Sequence, residues 1–276
     1  MKIFNKIFPL LLVLLFNINV FAVNFGAGLI SYYGKWLPAF RDNMDSCDTE
    51  LYGMIGPALS VSFLDKWTLS GLFLMPITGA GFPIKYSYSG TGDSGDYTVS
   101  ADTIVERADM DITLTYNLGN GFKIFGGYKW FHQGYSGSDS SPAEFTYNGT
   151  TSDLDDLCES SKLNANGVGL GGSYAYRITE NMSLITNISL IYLKTKVQYP
   201  ELAFDPDTLT YPGTVTYNVY GTNATISLSY YIEAMSTAVT VGLRYQYLKY
   251  FADGDNSYNL SDDQYYAITM SAMYFF

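Results

Sequence analysis

Stretches of about ten residues in which every second side chain is apolar recur along this chain, and a period of two fits a β-strand with one apolar face. Ten stretches read this way: 25–33, 55–63, 67–75, 110–118, 122–130, 168–178, 184–192, 224–232, 239–247 and 266–276. The last is the clearest. Tyr266, Ile268, Met270, Ala272, Tyr274 and Phe276 share one face, with Tyr265, Ala267, Thr269, Ser271, Met273 and Phe275 on the other. Ten residue steps at ~3.3 Å, tilted by ~40°, climb roughly 25 Å, the height of the apolar band on a transmembrane barrel. In 239–247 the apolar face is Val239, Val241, Leu243, Tyr245 and Tyr247, against Thr240, Gly242, Arg244 and Gln246.

The connections alternate in length. Leu64-Asp65-Lys66, Gly119-Asn120-Gly121, Thr179 to Ser183 and Glu233 to Ser236 are tight turns, with Gly and Asn expected at the φ > 0 positions. The others, near 38–52, 77–103, 138–160, 200–213 and 253–263, are long and acidic, and Ser87 to Gly95 is expected to be the tip of a hairpin standing above the membrane. Residues 1–22 carry Lys2 and Lys6, an apolar run from Phe8 to Phe16 and the ending Val20-Phe21-Ala22, the pattern of a cleaved signal peptide. No linker divides the remainder, so 23–276 is expected to form one domain. The fold predicted is all-β: an antiparallel, transmembrane, up-and-down β-barrel of about ten strands, with short periplasmic turns, long extracellular loops and both termini periplasmic. A secreted β-sandwich would not need lipid-length alternation with aromatic ends on strand after strand.

Composition excludes several functions. Charged residues are 15% of the chain, where soluble domains average about 25%, and aromatics reach 17%. With a net charge of -11 and no basic run, nucleic acid is not an expected partner. One His and two Cys leave little for metal or cofactor chemistry, and neither is expected. Cys47 and Cys158 fall in different long loops, so export into an oxidising compartment favours a disulfide strapping the two together. The glycines of Gly167 to Gly172 alternate with Val168 and Leu170, which reads as strand with small lumen-facing residues rather than a phosphate loop.

The final strand, ending in Tyr274 and Phe276, resembles the C-terminal assembly signal of bacterial outer-membrane β-barrel proteins. That resemblance implies residence in the bacterial outer membrane, contact with its lipids and recognition by the barrel-assembly machinery.

With Met110, Ile112 and Leu114 facing lipid, Arg107, Asp109 and Asp111 point inward, since a charge on the lipid face costs several kcal/mol at mid-membrane. The turn at 119–121 pairs Leu118 with Phe122, and therefore Asp111 with Lys129. The lumen is thus expected to hold an ion cluster of Arg107, Asp109, Asp111 and Lys129, joined by Arg244. Small residues (Gly167, Gly169, Gly171, Ser173, Ala175) should leave one wall spacious, while Phe131, Leu248 and the cations crowd another.

In strand number, and in the spacing of Asp109 and Asp111, the chain is similar to the omptin proteases, ten-stranded outer-membrane barrels whose activity uses an Asp pair facing an Asp-His pair. The second half of that arrangement is missing, because the sole His, His132, falls on the outer face by parity, with no Asp two residues before it. Outer-membrane acylases and phospholipases use a His beside a Ser, and Ser136 follows His132 at an unsuitable spacing. The expected function is non-enzymatic: a surface protein meeting an unidentified extracellular ligand or host through acidic loops, with a narrow porin-like channel as the alternative and an omptin-like protease as a remote one.

Overall fold

The computed structural model describes residues 23–39, 46–49, 51–77, 82–92, 95–137, 144–147, 150–153, 161–198, 214–252 and 262–276. The signal-peptide expectation for 1–22 lies outside them. The strands, in chain order, are β1 (Asn24–Leu37), β2 (Ser46–Thr49), β3 (Tyr52–Phe63), β4 (Trp67–Pro76), β5 (Phe82–Gly92), β6 (Gly95–Gly119) and β7 (Phe122–Gly137). They continue with β8 (Glu144–Tyr147), β9 (Thr150–Asp153), β10 (Ser161–Arg177), β11 (Met182–Gln198), β12 (Thr214–Ile232), β13 (Thr237–Ala252) and β14 (Asp262–Phe275).

Each of the ten predicted stretches falls on a barrel strand, with Ile178 and Phe276 one residue beyond theirs: β1, β3, β4, β6, β7 and β10 to β14 pair antiparallel in sequence order, and β1 meets β14 to close the ring. The result is a closed ten-stranded up-and-down barrel. Closure leaves its ten strands no unpaired edge, the condition lipid imposes on a sheet. The predicted outer faces are outside. Leu170 is 70% exposed, Leu190 67% and Ile188 63%, an apolar belt that calls for a bilayer rather than water. Aromatic pairs ring it at both ends: Phe122–Tyr174 and Tyr274–Phe276 near the turns, Tyr192–Tyr220 and Tyr245–Tyr266 toward the loops.

Three local expectations need correction. The hairpin of β5 and β6 stays paired to Gly92 and Gly95, so Ser87 to Gly92 is strand rather than tip. β6 is 25 residues long and runs well beyond a membrane, and its upper part joins a sheet ordered β2-β5-β6-β8-β9 built from three loop segments. Positive φ in the turns is not reserved to Gly and Asn, since Leu64 (52°), Asp65 (57°) and Ser236 (46°) adopt it as well. At the 119–121 turn, Gly119 rather than Leu118 sits opposite Phe122. Leu118 is the extra residue of a bulge, which leaves the predicted register above it unchanged.

Candidate functional site

Alternation on β6 sends Arg107, Asp109 and Asp111 into the lumen, and the 119–121 turn sets Asp111 opposite Lys129 on β7. The Lys129 ammonium donates to Asp111 at 2.8 Å and lies 3.9 Å from Asp109. The Arg107 guanidinium grips Asp109 with two donors, Nε at 2.9 Å and Nη2 at 3.2 Å, the bidentate arrangement that holds a carboxylate most firmly. Its face also lies 5.1 Å from the Phe131 ring centre and 5.7 Å from that of Tyr265. Arg244 does not join the ion pairs. It donates to Asn223 at 3.0 Å and Gln246 at 2.9 Å and stacks 4.7 Å from Tyr32, because neighbouring amides on β12 and β13 reach it before the carboxylates across the bore.

Around and above these charges the lumen is packed with apolar side chains. One cluster includes Phe131, Leu163, Leu193, Val215, Tyr217 and Leu248; the other includes Trp36, Tyr52, Met54, Leu74, Val105 and Tyr265. The glycine wall is partly occupied as well, because a Cβ on Gly171 would stand 2.5 Å from the Phe125 ring. Toward the turn end Ser60, Ser70, Thr113 and Ser271 share the lining with Ile30, Ala58, Leu72 and Met273. There a cavity of about 210 Å³ touches Asp111, and a second of about 280 Å³ lies near Asn24, Lys66 and Lys123. The bore is therefore filled at the loop end and lined by small hydroxyl and apolar side chains around two cavities at the turn end.

Asp263 belongs to this plug, whereas the sequence pattern places it at the end of a loop. The Trp36 indole N–H donates to one of its oxygens at 2.6 Å and the Tyr250 hydroxyl to the other at 3.3 Å. Counting back by twos from Tyr265 would have placed it inward. It lies one residue past Lys249↔Asp262, a level at which a lysine faces outward, above the membrane-spanning band. Burial pushes its carboxyl up to about 6, against the opposing pull of Arg107 and its two donors.

His132 faces outward, with Nδ1 2.8 Å from Asn164 Oδ1 and its ring parallel to Trp130 at 6.3 Å between centres. Since the sequence holds one His, the lumen has no imidazole. The Ser136 side chain and Cys158 lie outside the described residues, and for Cys47 the described part is the β2 backbone. Among the described residues no group of three or more His, Cys, Asp or Glu could hold a metal ion. Tyr274 and Phe276 meet edge to face on the outer surface at the turn end, and the Phe276 N–H donates to the Phe25 carbonyl at 2.9 Å.

Among solved structures, the outer-membrane protease OmpT from Escherichia coli is similar over 92% of this chain and 96% of its own, with a TM-score of 0.53 and 12% identity. The fold is that of a bacterial outer-membrane β-barrel. The attachment invasion locus protein Ail of Yersinia pestis, crystallised with a heparin analogue, aligns over 92% of this chain and 97% of its own at a TM-score of 0.33 and 11% identity. The NanC porin aligns over 89% and 98%, at 0.32 and 13%. No family model and no curated protein matches the sequence. At these identities the likeness concerns architecture alone.

Proposed function

We propose that this chain is a sealed outer-membrane barrel, neither channel nor enzyme, that displays binding loops on the bacterial surface. One observation carries the reading: the loop-end half of the lumen is a packed core, with Trp36, Met54, Leu74, Phe131, Leu193, Tyr217 and Leu248 each under 2% exposed. A ten-stranded bore has room for little more than its own side chains, and these occupy it. In this reading the turns and both termini are periplasmic, the β2-β5-β6-β8-β9 sheet stands outside with the acidic loops, and an extracellular ligand meets that surface. Outer-membrane lipids surround the belt, and the assembly machinery reads the strand ending in Tyr274 and Phe276.

The protease reading draws on the OmpT likeness and on the inward pair Asp109 and Asp111. Against it stand the engagement of both carboxylates by Arg107 and Lys129, which leaves no free base to activate water, and the outward His132. The channel reading draws on the two cavities at the turn end, and against it stands the packed plug at the loop end.

Conductance of the purified barrel in a planar bilayer tests the proposal. The wild type should give no stable current steps, and Phe131→Ala with Leu248→Ala, which empties the plug, should introduce them. Steady wild-type steps would establish the channel instead. Cleavage of peptides at basic sites, abolished by Asp109→Asn with Asp111→Asn, would restore the protease.

A further inference from the structure

We infer that the barrel carries, on the outside of β10 and β11, a binding site for the phosphate groups of an outer-leaflet glycolipid. The chain is acidic overall, yet the lysines facing outward from its barrel strands, Lys35, Lys162, Lys194, Lys196 and Lys249, all lie in the loop-end half. Lys162, Lys194 and Lys196 form the densest group. Lys196 stands opposite Asn164 and Lys194 opposite Asn166, while Lys162 is two residues from Asn164 on the neighbouring strand. All three are exposed, and none forms an ion pair among the described residues. Like charges on adjacent rungs repel, so a surface that gathers them with no counter-charge among the described residues gains from binding an anion. Lys249 differs in standing opposite Asp262, and among the described residues the acid across the neighbouring strands from the group is Glu106, two strands away beyond Gly134.

The amides between these lysines narrow the chemistry. His132 uses the carbonyl oxygen of Asn164, and the Tyr192 hydroxyl donates to that of Asn218, so both carbonyl oxygens are engaged and the NH₂ groups are left as donors. Ammonium groups and amide NH₂ groups are all donors, and the complement of a surface rich in charged donors is an acceptor-only group such as phosphate. Position selects a lipid over a soluble anion. Tyr192 and Trp130 lie immediately below, then Leu190, Ile188, Val168 and Leu170, among the most exposed apolar residues of the belt. A ligand whose acyl chains cover those residues brings its headgroup to the lysines. That the leaflet is the outer one rests on the orientation proposed above.

The test uses the full mature barrel refolded in detergent, with native mass spectrometry counting bound lipid and bisphosphorylated lipid A, dephosphorylated lipid A, phosphatidylglycerol and inorganic phosphate as probes. Lipid A should bind, and Lys162→Gln with Lys194→Gln and Lys196→Gln should weaken it by on the order of a hundredfold, since each basic residue near an anionic surface contributes roughly fivefold. Lys66→Gln with Lys123→Gln at the turn end should leave affinity unchanged. An unaltered thermal midpoint of the triple variant without lipid confirms that it folds, and if it does not, Lys194→Gln alone should still weaken binding about fivefold. Equal binding of dephosphorylated lipid A, or equal binding by the triple variant, overturns the site. Binding of inorganic phosphate alone, lost in the variant, overturns the lipid assignment. Preference for phosphatidylglycerol, likewise lost in the variant, overturns the glycolipid and the orientation together. A conductance result bears only on the sealed lumen, so the two proposals fail separately.

Discussion

Arg107→Ala should be the most damaging single truncation in the charged layer. The Arg107 and Asp109 side chains are 2% and 5% exposed, so the change strips a buried carboxylate of its two-pronged partner. The remaining cation, Lys129, is 3.9 Å away and already committed to Asp111 at 2.8 Å. Removing one member of such a buried pair costs about 3–5 kcal/mol, chiefly because the other charge stays desolvated and uncompensated. Loss of the guanidinium stack on Phe131 adds to this. Lys129→Ala should cost less, about 1–3 kcal/mol, because the Asp111 side chain is 23% exposed beside a cavity large enough for water. Asp109→Asn placed in the Arg107→Ala background should restore about half the loss, since a neutral amide needs hydrogen bonds but no counter-ion. Urea unfolding of the refolded barrel in lipid vesicles, followed by tryptophan fluorescence, measures all four proteins. An Arg107→Ala loss below about 1 kcal/mol, or one that Asp109→Asn does not relieve, would show that the pair is solvated and the buried-charge argument wrong.

Asp263 should make the barrel lose stability as pH rises. A carboxyl held at about 6 in the folded state, against an ordinary 3.8, favours folding fully below the lower value and loses that contribution as pH climbs through the higher one. The loss should approach about 3 kcal/mol by pH 7, and Asp263→Asn should flatten the profile between pH 4 and 7; an equally sloped profile in the variant refutes the assignment. The proposed bridge between Cys47 and Cys158 should appear as one cross-linked peptide in mass spectra of a digest made without reductant, and two free thiols would remove it.

Much of the fold was legible because period two is a local property. Val239, Val241 and Leu243 must share a face however the rest of the chain folds, and once their face is against lipid, Arg244 and Gln246 are inside. The same parity put Arg107, Asp109 and Asp111 inward and His132 outward, and a three-residue turn was enough to pair Asp111 with Lys129. Strand number followed from counting, and closure from the rule that lipid tolerates no unpaired edge. What lay beyond reach was everything set by strands distant in sequence. Asp263 meets Trp36 across 227 residues, and no local pattern reports that the two ends of the chain share a seam. Arg244 found amides on its own wall instead of the carboxylates opposite, a choice made by distances across the bore. The plug is also tertiary, because whether Phe131 and Leu248 merely narrow a lumen or close it depends on how side chains from all ten walls meet at one height. The sequence therefore determined which residues face lipid and which face the interior, through backbone alternation. Only the closed barrel decided which of the inward residues touch, because that depends on the stagger by which the ring is joined.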